Sequence, residues 1–255
     1  MIKAGYSMLL PAAFFLASAM PPGGEYNEEG KMVSLEELRI TVLYDNVEPE
    51  EGFEAEWGFS CVIEGCGKTI LFDTGGDGEI FMRNLSAAGF SPEDIDLVVI
   101  SHEHWDHFGG LDEFLAKNGE VELYLPRSFS KEFEDGVAGR CTRIEEVGDP
   151  AEIVPGVFST GDMDGPVREQ SLAVATSGGT VVITGCAHPG IDRIVSRAFE
   201  LTGKKILLVM GGFHLRGASK DRLEKIASVF EDKDLRYCGA SHCTGESSIE
   251  FFAAL

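Results

Sequence analysis

Basic residues are scarce in this sequence. Its 255 residues include 21 Lys and Arg against 43 Asp and Glu, so the formal net charge is −22. Non-specific binding to nucleic acid or to an anionic membrane needs a basic surface, so the sequence argues against both partners. We interpret the acidic excess as a device for solubility or salt tolerance rather than as the mark of a particular partner.

Close cysteine pairs, repeats and long apolar runs are also missing. The six cysteines contain no CxxC motif, and Cys61 and Cys66 are spaced too widely for a zinc knuckle. Most free cysteines are small buried apolar residues. Cys186 and Cys243 each stand close to a histidine in the sequence, so these two can also line a site.

The first 34 residues are predicted to be a leader or a misplaced start. Lys3, a short apolar run and the small residues 17–19 resemble a secretory signal, and the run is too short to span a membrane. Alternatively, residues 28–31 back-translate to a ribosome-binding sequence directly before Met32, which would then be the true start. The first interpretation predicts export and the second, which we favour, a cytoplasmic protein. Both predict a single folded domain over residues 35–255.

Short apolar strands and amphipathic helices alternate along that domain. Strands are predicted in "LRITVLYD", "WGFSCVIE", "KTILFDTG" and the buried "DLVVISH", with the second and third joined as a hairpin. Helices are predicted over 79–88, 190–201 and 219–230, and "SPEDI" carries a helix-start signal. This order predicts an α+β fold, a four-layer αββα sandwich of two mixed sheets. A doubly wound parallel sheet fits less well because the first half contains hairpin-joined strands.

Half of the six histidines fall within "SHEHWDHFGG". Because this stretch follows a predicted strand, His102 and His104 should point to one side of an extended chain and form half of a metal site. Asp106 and His107 follow where Gly109-Gly110 lets the chain turn, so they should be aimed at a neighbouring point. The pattern predicts two adjacent metals. It differs from the helical HExxH motif because position 106 is an aspartate.

The other three histidines also follow predicted strands. They are His188 in "TGCAHPG", His214 in "GGFHL" and His242 in "SHCTG". One histidine after a strand is usually structural, but six of six at strand ends indicate a shared site. A histidine-rich site with one carboxylate favours zinc, with iron or manganese as alternatives.

These motifs resemble those of the metallo-β-lactamase fold superfamily from about Leu38 onward. The resemblance implies a metal site along one edge of an αββα sandwich, with Asp73 of "DTGG" supporting the ligands from behind. It implies three ligands for each of two metals: His102, His104 and His188 for one, and Asp106, His107 and His242 for the other.

The sequence departs from the superfamily pattern at the fourth motif, where an aspartate usually bridges the two metals. Here "MGGFHL" carries His214 instead, which we expect to be a ligand, a proton donor to a leaving group or a neighbour of the ligands. Without the bridging carboxylate, the second metal site should be weaker or differently loaded. Asp106 is the other candidate for proton transfer.

A finer resemblance, carried by "EWGFSCVIE", "EQSLAV", "TGCAHPG" and "SHCTG", points to one branch of the superfamily. Members of that branch are similar to the archaeal synthase that condenses a 7,8-dihydropterin diphosphate with 4-(β-D-ribofuranosyl)aminobenzene 5′-phosphate in tetrahydromethanopterin synthesis. The resemblance implies a small, phosphorylated substrate. Trp57 and Phe59 are candidates to stack on the pterin, with core packing as their alternative. Arg127 and Arg168 are candidates to hold a phosphate, with an ordinary surface position as theirs.

Two other functions stay open. The superfamily mechanism, in which a metal-bound hydroxide is the nucleophile, implies a hydrolase of a phosphodiester, thioester or lactone. The third alternative is a non-catalytic metal-binding sensor or scaffold, which the missing bridging acid favours and the intact ligand set opposes. The branch also implies one further strand beyond Phe252.

Overall fold

Two mixed β-sheets form the centre of the protein, which we describe from a computed structural model of residues 13–14, 32–48 and 52–255. In this described part, the first sheet has seven strands in chain order: β1 (Ala13–Phe14), β2 (Arg39–Tyr44), β3 (Ser60–Glu64), β4 (Ile70–Phe72), β5 (Leu97–Val99), β6 (Glu122–Pro126) and β7 (Arg143–Val147). The second has six strands, in the spatial order β13-β12-β11-β10-β9-β8: β8 (Ala151–Val154), β9 (Val157–Ser159), β10 (Leu172–Thr176), β11 (Gly179–Thr184), β12 (Ile206–Gly212) and β13 (Tyr237–Ser241). The predicted leader or misplaced start over residues 1–34 lies outside the described residues, apart from 13–14 and 32–34.

Each sheet combines antiparallel and parallel strands. β2, β3 and β4 pair antiparallel, whereas β4 to β7 pair parallel. In the second sheet, β8 to β11 are antiparallel and β11 to β13 are parallel. The prediction of two mixed sheets rather than a doubly wound parallel sheet is therefore confirmed. The parallel strands of each sheet carry their carboxyl ends to one edge.

Helices cover the outer faces of both sheets. In the described residues they are α1 (Gly78–Ala87), α2 (Trp105–Phe108), α3 (Leu111–Leu115), α4 (Lys131–Val137), α5 (Ile191–Thr202), α6 (Lys220–Asp232) and α7 (Glu246–Ala253). Apolar residues of α1 and α3 pack on the first sheet, and those of α5 and α6 pack on the second. The four layers are helix, sheet, sheet and helix. None of the described helices is long and apolar enough to cross a membrane.

The helix-start signal at Ser91 produces only one turn. A 3₁₀ turn spans Pro92–Asp94, with Ser91 and Asp94 forming a capping box. Ile95 is already extended, and β5 begins two residues later. The capping residues are therefore satisfied locally, but the strand leaves no room for a helix to continue.

Buried strand residues alternate between two cores. Ile70 and Phe72 of β4 face the core between the sheets, while Leu71 faces the layer of α1 and α3. Because both faces of the strand are covered, its sequence is apolar throughout. Phe59 lies in the core between the sheets, fully buried, with its ring centroid 6.4 Å from that of Phe72. This corrects the expectation that Phe59 stacks on a substrate, because its ring has no exposed face.

The pairing of β4 with β5 sets up the site. Phe72 is in register with Val99, and the N–H of Asp73 donates to the carbonyl oxygen of Val99 at 2.9 Å. The first residue after β4 therefore lies beside the loop that follows β5. That loop carries Ser101 and His102, the beginning of the histidine-rich stretch.

Candidate metal centre

All six histidine side chains gather at one edge of the sandwich. They lie on the loops and turns that follow β5, β11, β12 and β13. Adjacent rings are close: centroids are 4.2 Å apart for His102 and His107, 4.6 Å for His102 and His188, and 5.1 Å for His107 and His242. His214 completes the chain of rings, 4.5 Å from His188.

The first group of ligand candidates contains His102, His104 and His188. Nε2 of His102 faces Nδ1 of His104 at 3.1 Å, and the ring of His188 lies 5.0 Å from that of His104. β5 ends at Val99, so His102 and His104 stand on an irregular loop rather than on an extended strand, and His188 stands on the loop after β11. We call these three residues the first half-site.

The second half-site contains Asp106, His107 and His242. Oδ2 of Asp106 lies 3.4 Å from Nε2 of His242 and 3.8 Å from Nε2 of His107. Asp106 and His107 belong to the short helix α2, and His242 opens a 3₁₀ turn directly after β13. The helical turn aims the two α2 side chains at a different point from His102 and His104.

Asp73 supports both half-sites. Its Oδ2 accepts from Nδ1 of His107 at 2.7 Å and from Oγ of Ser101 at 2.7 Å, and its Oδ1 accepts from the N–H of Ser101. Because the Ser101 hydroxyl donates to Asp73, its oxygen accepts from Nδ1 of His102 at 2.9 Å. Both imidazoles are therefore held with Nδ1 protonated, and Nε2 keeps a lone pair for a cation.

Glu169 is the supporting residue that sequence reasoning missed. Its side chain is fully buried and accepts, all at 2.9 Å, from the N–H groups of Cys186, Ala187 and His188 and from Nδ1 of His188. Burial opposes the charge, but His102, His188 and these donors outweigh it and lower the pKa of Glu169 below its usual range. The available signal was an acidic residue shortly before the fully buried strand β10.

Asn46 fixes the remaining ligand candidate. Its Oδ1 accepts from Nδ1 of His242 at 2.9 Å, and its Nδ2 donates to the carbonyl oxygen of the same residue. Nε2 of His242 is buried and has no hydrogen-bond partner among the described residues. A buried ring nitrogen without a partner, next to the carboxylate of Asp106, fits a divalent cation as the missing partner.

The loop after β12 carries His214 to the rim. His214 is exposed, and its ring lies against that of His188. The sulfur atoms of Cys186 and Cys243 lie below the rim, within 4.8 Å of a ring nitrogen of His214. Both cysteines are buried at the site, so they are small buried residues and line it as well.

Backbone strain concentrates at this edge. In the described chain, four of the five non-glycine residues with positive φ lie here: Asp73, Ala187, His214 and His242. Such conformations cost about 1–3 kcal/mol each and persist where surrounding contacts enforce them, often at functional sites.

Aromatic and cationic side chains border the second half-site. The ring of Trp57 lies 5.0 Å from that of His242, and the Arg216 guanidinium stands 5.1 Å from the centroid of Trp57. Trp105, at the start of α2, is 58% exposed. Gly76 separates the two tryptophans, because a Cβ there would meet the Trp105 ring at 2.5 Å and the Trp57 carbonyl oxygen at 2.7 Å. Neither Trp105 nor Arg216 was predicted from the sequence.

Arg127 and Arg168 line one cavity of about 540 Å³, together with Arg193 and Arg197. Arg168 is paired with Asp162 at 3.1 Å and with Asp164. Nη1 of Arg193 donates to the carbonyl oxygen of Pro189, the residue after His188, at 3.0 Å. The cavity therefore adjoins the loop of the first half-site. The sequence pointed to two of its four arginines and missed the pair on α5.

Comparisons with known proteins agree with this geometry. Residues 58–219 match the family model of the metallo-beta-lactamase superfamily. The chain is 28% identical to the 7,8-dihydropterin-6-methyl-4-(β-D-ribofuranosyl)-aminobenzene-5′-phosphate synthase of Methanocaldococcus jannaschii, over 78% of this chain and 85% of that protein.

Solved structures show the same fold. The crystal structure of Tm1679, described as a metal-dependent hydrolase of the beta-lactamase superfamily, superposes with a TM-score of 0.73 at 30% identity, over 85% of this chain and 92% of that one. The short form of human tRNase Z matches with a TM-score of 0.54 at 17% identity, over 80% and 92%, which shows likeness of fold alone. The family match, the two mixed sheets and the ligand set at their edge agree: this chain belongs to the metallo-β-lactamase superfamily, whose fold implies binding of divalent metal ions.

Proposed function

We propose that this protein is a metal-dependent enzyme that condenses a 7,8-dihydropterin diphosphate with an arylamine bearing a ribose 5′-phosphate. One observation carries the proposal: the ligand candidates, an aromatic wall and an arginine-lined cavity adjoin at one edge of the fold. Similarity to a synthase named for such a product, over most of both chains, supports it.

The two half-sites would each hold one divalent cation, for which the donor set favours zinc over iron or manganese. When bound, such cations act as Lewis acids that stabilise negative charge on a phosphate oxygen. The chain's own contribution is to fix the ligands: Asp73, Glu169 and Asn46 each hold a histidine by its outer nitrogen. The inner ring nitrogens of these histidines are therefore preorganised as ligands, and would need no reorientation to hold a cation.

Trp57 provides a surface for the flat pterin. Its indole is half-buried beside His242, with the Arg216 guanidinium against it. A ring stacked there gains apolar contact and a nearby positive charge. The exposed ring of Trp105 adds a second aromatic surface next to the same half-site.

The arginine-lined cavity would hold the phosphorylated ribose. Arg127 lines the cavity and has no acidic partner among its described contacts, whereas Arg168 donates a hydrogen bond to the carboxylate of Asp162. Guanidinium groups bind phosphate oxygens through paired N–H donors, so the cavity suits a dianionic phosphate.

In the condensation, a bond forms between the arylamine nitrogen and the methyl carbon of the pterin. The bond from that carbon to the diphosphate oxygen breaks, and the diphosphate leaves with the bonding electrons. The nitrogen loses one proton. We assign His214, which is exposed beside His188, as the acceptor of this proton. Asp106 is less suitable because it lies between His107 and His242.

Hydrolysis of a phosphodiester is the second candidate. Tm1679, which shares 30% identity and a TM-score of 0.73 with this chain, is described as a metal-dependent hydrolase. The arginine-lined cavity favours a phosphodiester over a thioester or a lactone, because it supplies positive charge for a phosphate.

The test uses the full chain, purified and loaded with zinc. It is incubated with the dihydropterin diphosphate and the arylamine phosphate, and in parallel with bis-p-nitrophenyl phosphate. Diphosphate release together with the mass of the coupled product supports the synthase. Release of p-nitrophenol alone supports the hydrolase. No turnover at full metal occupancy contradicts both and leaves a metal-binding sensor or scaffold.

Arg127→Ala sharpens the same assay. It should raise KM for the arylamine phosphate by about 10- to 100-fold, because a charge-assisted contact to phosphate is worth about 1.5–3 kcal/mol. KM for the pterin should stay unchanged. Arg140→Ala is the matched control, since Arg140 pairs with Asp112 and is not among the residues that line the cavity.

A further inference from the structure

Cys186 occupies a central position in the metal centre. Its side chain is buried in the loop between β11 and α5, and its Sγ lies 3.3 Å from Nε2 of His107. In the described chain, three sets of possible ligand atoms each lie within 4.8 Å of one another, and Cys186 alone belongs to all three. The sets are Cys186 with Asp106, His107 and His242; with His102 and His188; and with His214 and Cys243.

The same sets contain little negative charge. Asp106 provides the one carboxylate among these described ligand candidates. Two buried acids contact these ligand candidates from behind: Asp73 accepts from His107 and Ser101, and Glu169 accepts from His188 and from three backbone N–H groups. Two divalent cations bound by imidazoles and a single carboxylate would lack a shared anionic ligand.

The last two residues of β12, Gly211 and Gly212, have no room for a side chain that could supply that ligand. A Cβ on Gly211 would lie 2.0 Å from the carbonyl oxygen of Thr184. A Cβ on Gly212 would lie 2.7 Å from Sγ of Cys243 and 3.1 Å from Cδ2 of His242. Backbone oxygen, sulfur and imidazole atoms therefore occupy the space that a carboxylate at this end of β12 would need.

The position of Cys186 is fixed by its neighbours. Its N–H donates to Oε1 of Glu169 at 2.9 Å, and Ala187 adopts a positive φ of 58°. Gly185 lets the loop lie against Ser101, because a Cβ there would come within 2.2 Å of the Ser101 hydroxyl. The sulfur is thus held at the point where the two half-sites meet.

We propose that the Cys186 thiolate is a metal ligand shared by both half-sites, in place of a bridging carboxylate. On metal binding the thiol releases its proton to solvent, and the sulfur carries the negative charge that the histidines cannot supply. A thiolate ligand also favours zinc over manganese at this centre. The proposal concerns the metal centre alone and holds for either candidate reaction.

Cobalt substitution of the whole protein tests the assignment without an activity assay. A thiolate bound to Co²⁺ gives an intense near-ultraviolet charge-transfer band. We expect this band in the wild type and in Cys238→Ser, a control that removes an exposed thiol of β13. Cys186→Ser should lose the band while keeping the visible bands of bound Co²⁺. A band that is absent from the wild type, or lost only in Cys243→Ser, overturns the proposal.

X-ray absorption of the wild-type zinc protein covers the case in which Cys186→Ser does not fold. A Zn–S contact appears near 2.3 Å, beyond the Zn–N contacts at about 2.0–2.1 Å. A shared thiolate predicts about one sulfur per zinc when both half-sites are loaded. About half a sulfur per zinc would limit the thiolate to one half-site and overturn sharing, and absence of sulfur would overturn the ligand itself.

Discussion

The two sheets contribute to the metal centre in different ways. The first sheet supplies four ligand candidates from six consecutive residues, 102–107, whereas the second supplies His188 and His242 from separate loops. Asp73, behind the first sheet's ligands, contacts His107 directly and His102 through Ser101. The two histidines of the second sheet have separate hydrogen-bond partners: Glu169 holds His188, and Asn46 holds His242. A substitution at Asp73 should therefore weaken metal binding at both half-sites, whereas a substitution at Glu169 or Asn46 should weaken it at only one.

Asp73→Asn is expected to have the largest effect. The carboxylate accepts three hydrogen bonds, and an amide must turn its NH₂ group toward one of those donors. Loss of a supporting partner typically weakens metal binding by 10–100-fold, so we expect about 100-fold weaker binding at both half-sites. Chelator competition on the purified protein measures both affinities.

Ser101→Ala is the matched control for Asp73→Asn. It removes the hydroxyl between Asp73 and His102 but leaves the contact from Asp73 to His107. Only the first half-site should weaken. If Asp73→Asn also weakened only one half-site, the idea of a common support would fail.

Glu169→Gln comes next and should affect the first half-site alone. Glutamine keeps one acceptor oxygen for the N–H groups of Cys186 and Ala187, so the Cys186 sulfur stays in place, but it loses the charge that faces His188. We expect about 10- to 100-fold weaker binding there and an unchanged second half-site. Equal losses of metal affinity at both half-sites would contradict the idea that Glu169 supports the first half-site alone.

Glu169→Ala adds a stability readout in the absence of metal. It leaves the buried N–H groups of Cys186, Ala187 and His188 without their acceptor. Each unsatisfied buried donor costs about 1–3 kcal/mol. Glutamine still accepts from Cys186 and Ala187, so the free energy of unfolding of Glu169→Ala should be lower than that of Glu169→Gln by about 2 kcal/mol or more. Urea denaturation of the metal-free variants compares them.

Asn46→Ala should have a smaller effect, limited to His242. The imidazole loses the acceptor that fixes its tautomer, but Asp106 and the fold still hold it near the site. We expect about tenfold weaker binding at the second half-site, the lower end of the usual range. Asn46→Asp keeps an acceptor and should bind nearly as well as the wild type. Weaker metal binding at the first half-site in Asn46→Ala would contradict the idea that Asn46 supports only His242.

The same contrast explains what the sequence could predict. The stretch from His102 to His107 is contiguous, so its spacing alone predicted two groups of ligands that face neighbouring metals. The two mixed sheets followed from the hairpin and the apolar strands, and the structure confirms them. The assignment of His188 to the first metal and of His242 to the second came from the family resemblance, because local sequence does not show which strands are neighbours in a sheet.

Residues that act through tertiary contacts escaped prediction. Glu169 reaches His188 only because β10 pairs with β11, which brings the start of one strand beside the loop after the other. Trp105 and Arg216 are single side chains without a pattern. Phe59 was a candidate to stack on the pterin, with core packing as the alternative, because aromatic type does not reveal which way a strand end faces. Its ring lies in the core between the sheets.

The Asp192–Arg222 pair should have the smallest effect and leave metal binding unchanged. It joins α5 to α6 through two contacts of 2.8 and 2.5 Å, behind the first half-site's loop rather than on a ligand. Burial raises the pKa of Asp192, but Arg222 outweighs this and holds the pKa below its usual range. The pair therefore stabilises the fold above the ordinary carboxyl pKa of about 3.9, and this contribution is lost as pH falls through the lower folded-state pKa.

Because Arg222 is more than one-third exposed, solvent screening limits the contribution of the pair to less than about 1 kcal/mol. Asp192→Asn should lower the free energy of unfolding by that amount at neutral pH, and the deficit should shrink in acid. Urea denaturation of metal-free protein at several pH values measures it, and chelator competition checks the metal. A changed affinity at the first half-site would mean that α5 positions His188, so the second sheet would then share its supports as the first sheet does.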